Sequence, residues 1–370
     1  MGGWPSVVSV AMCLEERVNT LRVGIAGAGG IAHQHAIGWR DNAPRGELVA
    51  LADISPERAQ IISDQYTGGK AKVYDTLDAM IADPDVDAID ICLPHDLHAD
   101  AIIKAAKAGK IILCEKPLCT TQSDAARIGA ALKESGATFM MAHNNLFQPS
   151  LLEARKLLQL NTIGKTFVIR SIECFQNSGA LLGMQGKHNL APGESPWAWR
   201  NDPKRMGGGE VLDTGWHGTY RLLALADERP VEVSAVMDRF LIPGLKSEDT
   251  GILTVTFESG KIGQMFTSWA FTVPGDTQFE VIGEYGSLSG TSKSISPQPH
   301  GWPTATTREL KPVHTFTAEL TNFLDVVQKG ETNLATFETG ARVLQLTKAA
   351  YKAAAEKRTI ALPEDPMAEA

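Results

Sequence analysis

The chain has 370 residues, 43% of them hydrophobic and 21% charged, with a net charge of −8. That length is more than one compact core holds and points to two domains. The acidic balance argues against a nucleic-acid partner, which needs a clustered basic surface, and no apolar run reaches the roughly 20 residues of a membrane-spanning helix. Residues 1–20 carry no Lys or Arg ahead of their mildly apolar stretch and read as a loosely ordered extension rather than a secretory signal. The five cysteines have neither metal spacing nor the density of a disulfide framework, which suits a reducing, cytoplasmic setting.

In chain order, an apolar run at 21–26 reads as a strand and ends in Gly27, Gly29 and Gly30, with a helix-compatible segment directly after. This order builds a phosphate site. Gly27 permits the tight turn, Gly29 lets backbone approach a pyrophosphate, and the N–H groups opening the helix face the anion. A second strand-like run closes on Asp53, placed to take the ribose hydroxyls of a dinucleotide. Its charge favours NAD over NADP, and the nearby Arg58 softens that preference. Further strands at 87–93, 110–115 and 137–142 alternate with helices at 99–108 and 123–135. The alternation predicts a doubly wound parallel sheet over 21–148.

Past residue 150 the pattern changes. A helix near 150–160 and a strand at 165–175 precede an irregular loop at 176–205. A helix then runs from the triple glycine 207–209 to about 226. Strands at 231–240, 250–258, 261–271 and 277–284 and two closing helices at 316–329 and 338–356 complete the chain. Residues 149–370 are expected to form an α+β domain with a large, mostly antiparallel open sheet.

Candidate chemistry gathers at two motifs. Glu115, Lys116 and Pro117 end a parallel strand, where an ammonium can steady an alkoxide as it develops. Asp213 and His217 are four apart, so a continuous helix puts both on one face, with the carboxylate orienting an imidazole able to act as a base. In the irregular loop, Trp197 and Arg200 suit a sugar or polyol, by stacking and by hydroxyl or phosphate binding, and Trp216 flanks the helix. The pairs His33/His35 and His95/His98 lack an acidic or cysteine partner in sequence to complete a metal site, so no metal is expected.

The ordered set Gly27, Gly29, Ile31 and His35; Asp53; Leu93, Pro94, His95 and His98; Glu115, Lys116 and Pro117; and the triple glycine with Asp213 and His217 resembles the Gfo/Idh/MocA oxidoreductase family over residues 20–360. The resemblance implies a Rossmann domain holding NAD through Gly27, Gly29, Gly30, Ile31, Asp53, Arg58, Leu93, Pro94, His95, His98, Glu115, Lys116 and Asn144. It implies Lys116, Asp213 and His217 as catalytic residues, with Trp197 and Arg200 joining them at the substrate. It further implies a homodimer or homotetramer assembled through the second sheet. His95 stands where the family usually carries Asn, and the segment beginning Asn144 lacks an Arg common in the family. The leading activity is NAD-dependent oxidation of a secondary hydroxyl of a cyclic sugar, glycoside or inositol. Alternatives are a tightly bound NAD recycled during net glycoside cleavage, and a non-catalytic dinucleotide sensor.

Overall fold

Two sheets organise the chain. In the computed structural model, which describes residues 20–176, 198–242 and 244–370, the apolar runs of the first third pair as six parallel strands. These are β1 (Leu21–Ala26), β2 (Gly46–Ala52), β3 (Lys72–Tyr74), β4 (Ala88–Ile91), β5 (Ile111–Glu115) and β6 (Phe139–Ala142), in the order β3-β2-β1-β4-β5-β6. The order reverses between β1 and β4, and such a switch point opens a ligand crevice beyond the strands' carboxyl ends. Every residue of β4 and β6 is buried, as expected of strands covered on both faces.

The covering helices are α1 (Gly30–Asp41), α2 (Pro56–Thr67), α3 (Leu77–Ile81), α4 (His98–Lys107) and α5 (Gln122–Ser135). Their ends follow local chemistry. Pro56 opens α2, the Thr121 side chain accepts the Asp124 N–H at the start of α5, and Gly136 closes that helix in a left-handed conformation. The short pieces β3 and α3 escape the sequence reading because they are too brief to show a period.

The chain continues through α6 (Pro149–Gln159), β7 (Thr166–Cys174), α7 (Pro203–Met206), α8 (Glu210–Asp213) and α9 (Gly215–Ala226). Then come β8 (Pro230–Asp238), β9 (Thr250–Phe257), β10 (Ile262–Ser268), β11 (Phe279–Gly283), β12 (Gly286–Gly290), β13 (Ser294–Pro299) and β14 (Arg308–Glu309). The helices α10 (Thr315–Lys329) and α11 (Phe337–Glu356) precede β15 (Ile360–Ala361). Among the described residues, the second sheet has nine strands in the order β14-β13-β12-β11-β7-β10-β9-β8-β15. It is mostly antiparallel, with β7 and β10 as parallel neighbours. The strands β12 and β13, rich in Gly, Ser and Pro, and the two-residue β14 carry little strand signal and escape the sequence reading.

Two differences from the sequence reading bear on the site. The helix expected to run unbroken from the triple glycine is two helices, α8 and α9, joined at Thr214. In a continuous helix the Asp213 carbonyl would accept the His217 N–H. Here it accepts the Lys116 ammonium at 2.9 Å, and the His217 N–H bonds the Thr214 carbonyl at 2.9 Å. Of the closing helices, both grouped by sequence with the second sheet, α10 packs on α1 of the first domain, whereas α11 lies mainly against β8 and α9 of the second. Phe323 of α10 meets Trp39 of α1 edge-on at 6.0 Å, and the Met141 N–H of β6 donates to Ala335 at 2.7 Å.

Candidate active site

The glycine turn has the shape its sequence implies. Gly27 has φ +96°, and a Cβ there would lie 2.5 Å from the Cys92 carbonyl oxygen. A Cβ on Gly29 would meet nothing within 4 Å, so the backbone at this point borders open space. The helix α1 starts at the exposed Gly30 with no side-chain cap and no acid in its first turn, leaving its N–H groups and positive dipole end to an anion. Partly buried Ile31 packs against the core beneath. An uncapped helix start beside an open glycine backbone fits the pyrophosphate of a dinucleotide.

Asp53 lies at the carboxyl end of β2, beside this turn. Its Oδ2 accepts the Ala28 N–H at 2.7 Å, while Oδ1 accepts the Ser55 N–H at 2.8 Å and the Arg58 guanidinium at 2.8 Å. The acid expected to face a ribose therefore also braces the glycine loop, and Arg58 offsets its charge.

Across the crevice, Leu93 and Pro94 follow β4 and are partly buried. The buried His95 places Nδ1 at 3.1 Å from the Met206 carbonyl and Nε2 at 3.7 Å from Asp213 Oδ1, with its ring edge-on to Trp199 at 4.7 Å. Burial pushes this imidazole well below its ordinary value, although Asp213 opposes the shift. His98 is also buried, and its nitrogens face the carbonyls of Pro117 at 2.7 Å and Leu93 at 2.8 Å. Both nitrogens are thus engaged in tying the loops after β4 and β5 together, where the sequence reading places them on the cofactor. Glu115 is similarly occupied within the protein: Oε2 accepts the Lys116 N–H at 2.9 Å and Oε1 meets His35 at 3.0 Å. Asn144, past β6, donates to the Thr315 hydroxyl at 3.1 Å.

The main correction concerns Asp213. It does not orient His217. Its Oδ1 accepts the Lys116 ammonium and its Oδ2 accepts the Arg200 Nε at 2.9 Å. Burial would raise the Asp213 carboxyl, but Lys116 and Arg200 outweigh it and hold the group well below the usual carboxylate range. His217 pairs instead with Tyr220, three residues on in α9, with 2.8 Å from Nδ1 to the hydroxyl oxygen. That hydroxyl also accepts the Asn145 N–H at 3.1 Å. Burial, then the charges of Lys116 and Arg221, push His217 well below its ordinary value, so the ring is neutral near pH 7. Lys116 also lies close enough to influence His143 and His95.

The sequence reading misses His143 and Tyr220. Fully buried His143 stacks on Tyr220 at 4.3 Å, and its Nε2 accepts the Trp216 indole N–H at 2.9 Å. Burial and Lys116 push it down to about 3. The spacing of three between His217 and Tyr220 was a usable signal; nothing local marks His143. Trp216 is fully buried and packs the helix rather than presenting a face to a ligand. Trp197 lies outside the described residues. Arg200 lies beside Asp213, with its guanidinium 4.8 Å from the ring of Trp199.

The chain is similar to known proteins along most of its length. Residues 21–143 match the model of an oxidoreductase family with an NAD-binding Rossmann fold, and residues 151–289 match the GFO/IDH/MocA C-terminal domain. The chain is 29% identical to an inositol 2-dehydrogenase of Rhizobium meliloti, over 93% of this chain and 99% of that protein. It is 29% identical to a 1,5-anhydro-D-fructose reductase of Ensifer adhaerens, over 90% and 96% of the two chains. A crystal structure of aldose-aldose oxidoreductase from Caulobacter crescentus in complex with glycerol superposes with a TM-score of 0.80 at 25% identity, covering 93% of this chain and all of that one.

Proposed function

Since this chain belongs to the Gfo/Idh/MocA family of oxidoreductases, we propose that it transfers hydride between a secondary hydroxyl of a cyclic sugar, glycoside or inositol and NAD. The observation that carries this reading is the use of the Lys116 ammonium. It has three hydrogens, and the Asp213 carboxylate and carbonyl take two, so the third remains for a substrate oxygen. Held this way, Lys116 steadies negative charge as it builds on that oxygen. His217, with Nδ1 held at Tyr220 and kept neutral by burial and by Lys116, takes the hydroxyl proton on Nε2. Arg200 locks Asp213 from the other side and offers a hydroxyl-binding group. When bound, the dinucleotide supplies the hydride acceptor. The uncapped start of α1, the open backbone at Gly29 and the walls at Leu93, Pro94 and Asn144 would hold it, with Asp53 favouring NAD and Arg58 tempering that choice.

The second sheet supports assembly with a second copy of the chain. In register across four strands, Val236, Ile252, Phe266 and Ile172 form one row on one face, with Val236 75% and Ile252 42% exposed. A contiguous apolar row of this kind suits an isologous interface.

The test is nicotinamide reduction by the purified protein with NAD and with NADP, across inositols, free sugars and glycosides. His217→Ala is the control. Turnover with NAD that the substitution abolishes supports the proposal. Binding of NAD with no net reduction on any of the panel would sink it.

A further inference from the structure

Beneath the site lies a buried ionic chain that the proposed chemistry does not use directly. His35, in the second turn of α1 and fully buried, has Nδ1 2.9 Å from Asp90 Oδ2 and Nε2 3.0 Å from Glu115 Oε1. The Trp39 indole N–H donates to the same Asp90 oxygen at 2.8 Å. Glu115 completes the path by accepting the Lys116 main-chain N–H at 2.9 Å on its other oxygen. A neutral imidazole has one N–H, whereas here both nitrogens face carboxylate oxygens, so the contacts call for a doubly protonated ring. Burial works to discharge the ring, but Asp90 and Cys92 together outweigh it and raise His35 well above its ordinary value.

The fold, unlike the sequence order, does bring an acid and a thiol to His35: ligand-type atoms of His35, Asp90 and Cys92 lie within 4.8 Å of one another. Their contacts are those of hydrogen bonds. The imidazole N–H faces Asp90 Oδ2, and the Cys92 thiol donates to Asp90 Oδ1 at 3.7 Å. An ion there would have to displace the ring proton that this geometry requires.

We infer that His35 is a positioning residue: donating from both ring nitrogens, it anchors Glu115, and Glu115 in turn fixes the backbone of Lys116, linking the helix that opens at the glycine turn to the lysine of the site. The chain of contacts has a physical purpose. Asp90 and Glu115 are two buried carboxylates, and a ring donating from both nitrogens gives each of them a hydrogen-bond partner. An ionised Glu115 accepts the Lys116 N–H more strongly than a protonated one would, because a charged acceptor strengthens the bond. The ammonium then starts from a fixed backbone toward Asp213. The titratable groups around His35 are Asp90 and Cys92 at the end of β4, Glu115 of β5 and Glu319 of α10. Glu319 is fully buried, has no hydrogen-bond partner among the described residues, and is pushed well above the carboxylate range by burial.

This inference rests on the proposed role of Lys116, and its test has two arms. The first is independent of turnover: ¹⁵N spectra of the histidine rings in the full chain, with His35 assigned through His35→Gln. Both ring nitrogens should be protonated at pH 8; a neutral His35 at that pH overturns the inference. The second arm is kinetic, with His35→Gln, Glu115→Gln and the double variant. Each single change should lower kcat by about tenfold or more while NADH affinity stays within about threefold, and the double variant should be little worse than either single one. Unchanged kcat in His35→Gln, or strictly additive losses, would show a role in stability only and overturn the inference. If the wild type turns over nothing, the proposed function fails, and the nitrogen spectra alone decide the charge state of His35.

Discussion

Lys116 and Asp213 are joined twice: the ammonium donates to the carboxylate of Asp213 and, at 2.9 Å, to its main-chain carbonyl. One side chain thereby ends α8, neutralises a buried acid and keeps a third hydrogen for a ligand. The pair, rather than an Asp213–His217 pair, is the centre of the site.

Asp213→Asn retains the shape of the side chain and removes the charge that Lys116 and Arg200 share. With two cations left facing a neutral amide, kcat should fall by about 10²-fold or more, and NADH affinity should change little because no cofactor-binding group is altered. Steady-state kinetics beside a fluorescence titration of NADH checks this. A loss confined to cofactor affinity would contradict the assignment.

The two glycines of the turn should fail in different ways. Gly27→Ala forces a side chain into a positive φ and against the Cys92 carbonyl, and should cost about 1–3 kcal/mol of stability. Gly29→Val meets open space, so the melting temperature should hold while NADH binding collapses, since the new side chain occupies the region assigned to the pyrophosphate. Thermal melts and NADH titration separate the two outcomes.

His217 is depressed well below the reference value of 6.5. For alcohol oxidation the reactive form is the neutral ring, so kcat/KM should stay level as pH falls to about 6.5 and decline only below it. A decline already complete at pH 7 would be inconsistent with His217 as the proton acceptor in this environment.

His143 is neutral in the fold and held to about 3, whereas its unfolded value is near 6.5. Between those values the unfolded chain binds more protons than the folded one, so stability falls as pH drops through this window and recovers as pH rises. His143→Gln keeps an acceptor for the Trp216 indole and removes the titration. Urea melts from pH 4 to 6 should show a slope shallower by up to about 1.4 kcal/mol per pH unit than in the wild type. Equal slopes would mean that His143 is protonated in the fold.

The row across the second sheet should mark an interface. Val236→Lys together with Ile252→Lys places two charges in it, and light scattering after size exclusion should show the wild-type oligomer reduced to monomers. A monomeric wild type, or an unchanged mass in the variant, would contradict this assignment.

Much of this protein is legible along the chain, because its information is local. The strand, the glycine turn at Gly27 and Gly29 and the uncapped helix start follow one another within a few residues, and each step is imposed by backbone sterics. Asp53 and Lys116 sit at strand ends, and a parallel sheet sends all such ends to one edge. The sequence by itself therefore determined the doubly wound sheet and the mostly antiparallel character of the second one. Tertiary structure alone decided who pairs with whom. Spacing along an imagined continuous helix joined Asp213 to His217, but an ammonium from a strand nearly a hundred positions earlier takes the Asp213 carbonyl and breaks that helix. His217 is left to Tyr220, His98 and Glu115 turn inward to brace loops, and Asp90 and Glu115 gather around His35. Buried charges and polar groups must find partners wherever the fold supplies them, and that requirement has no period along the sequence.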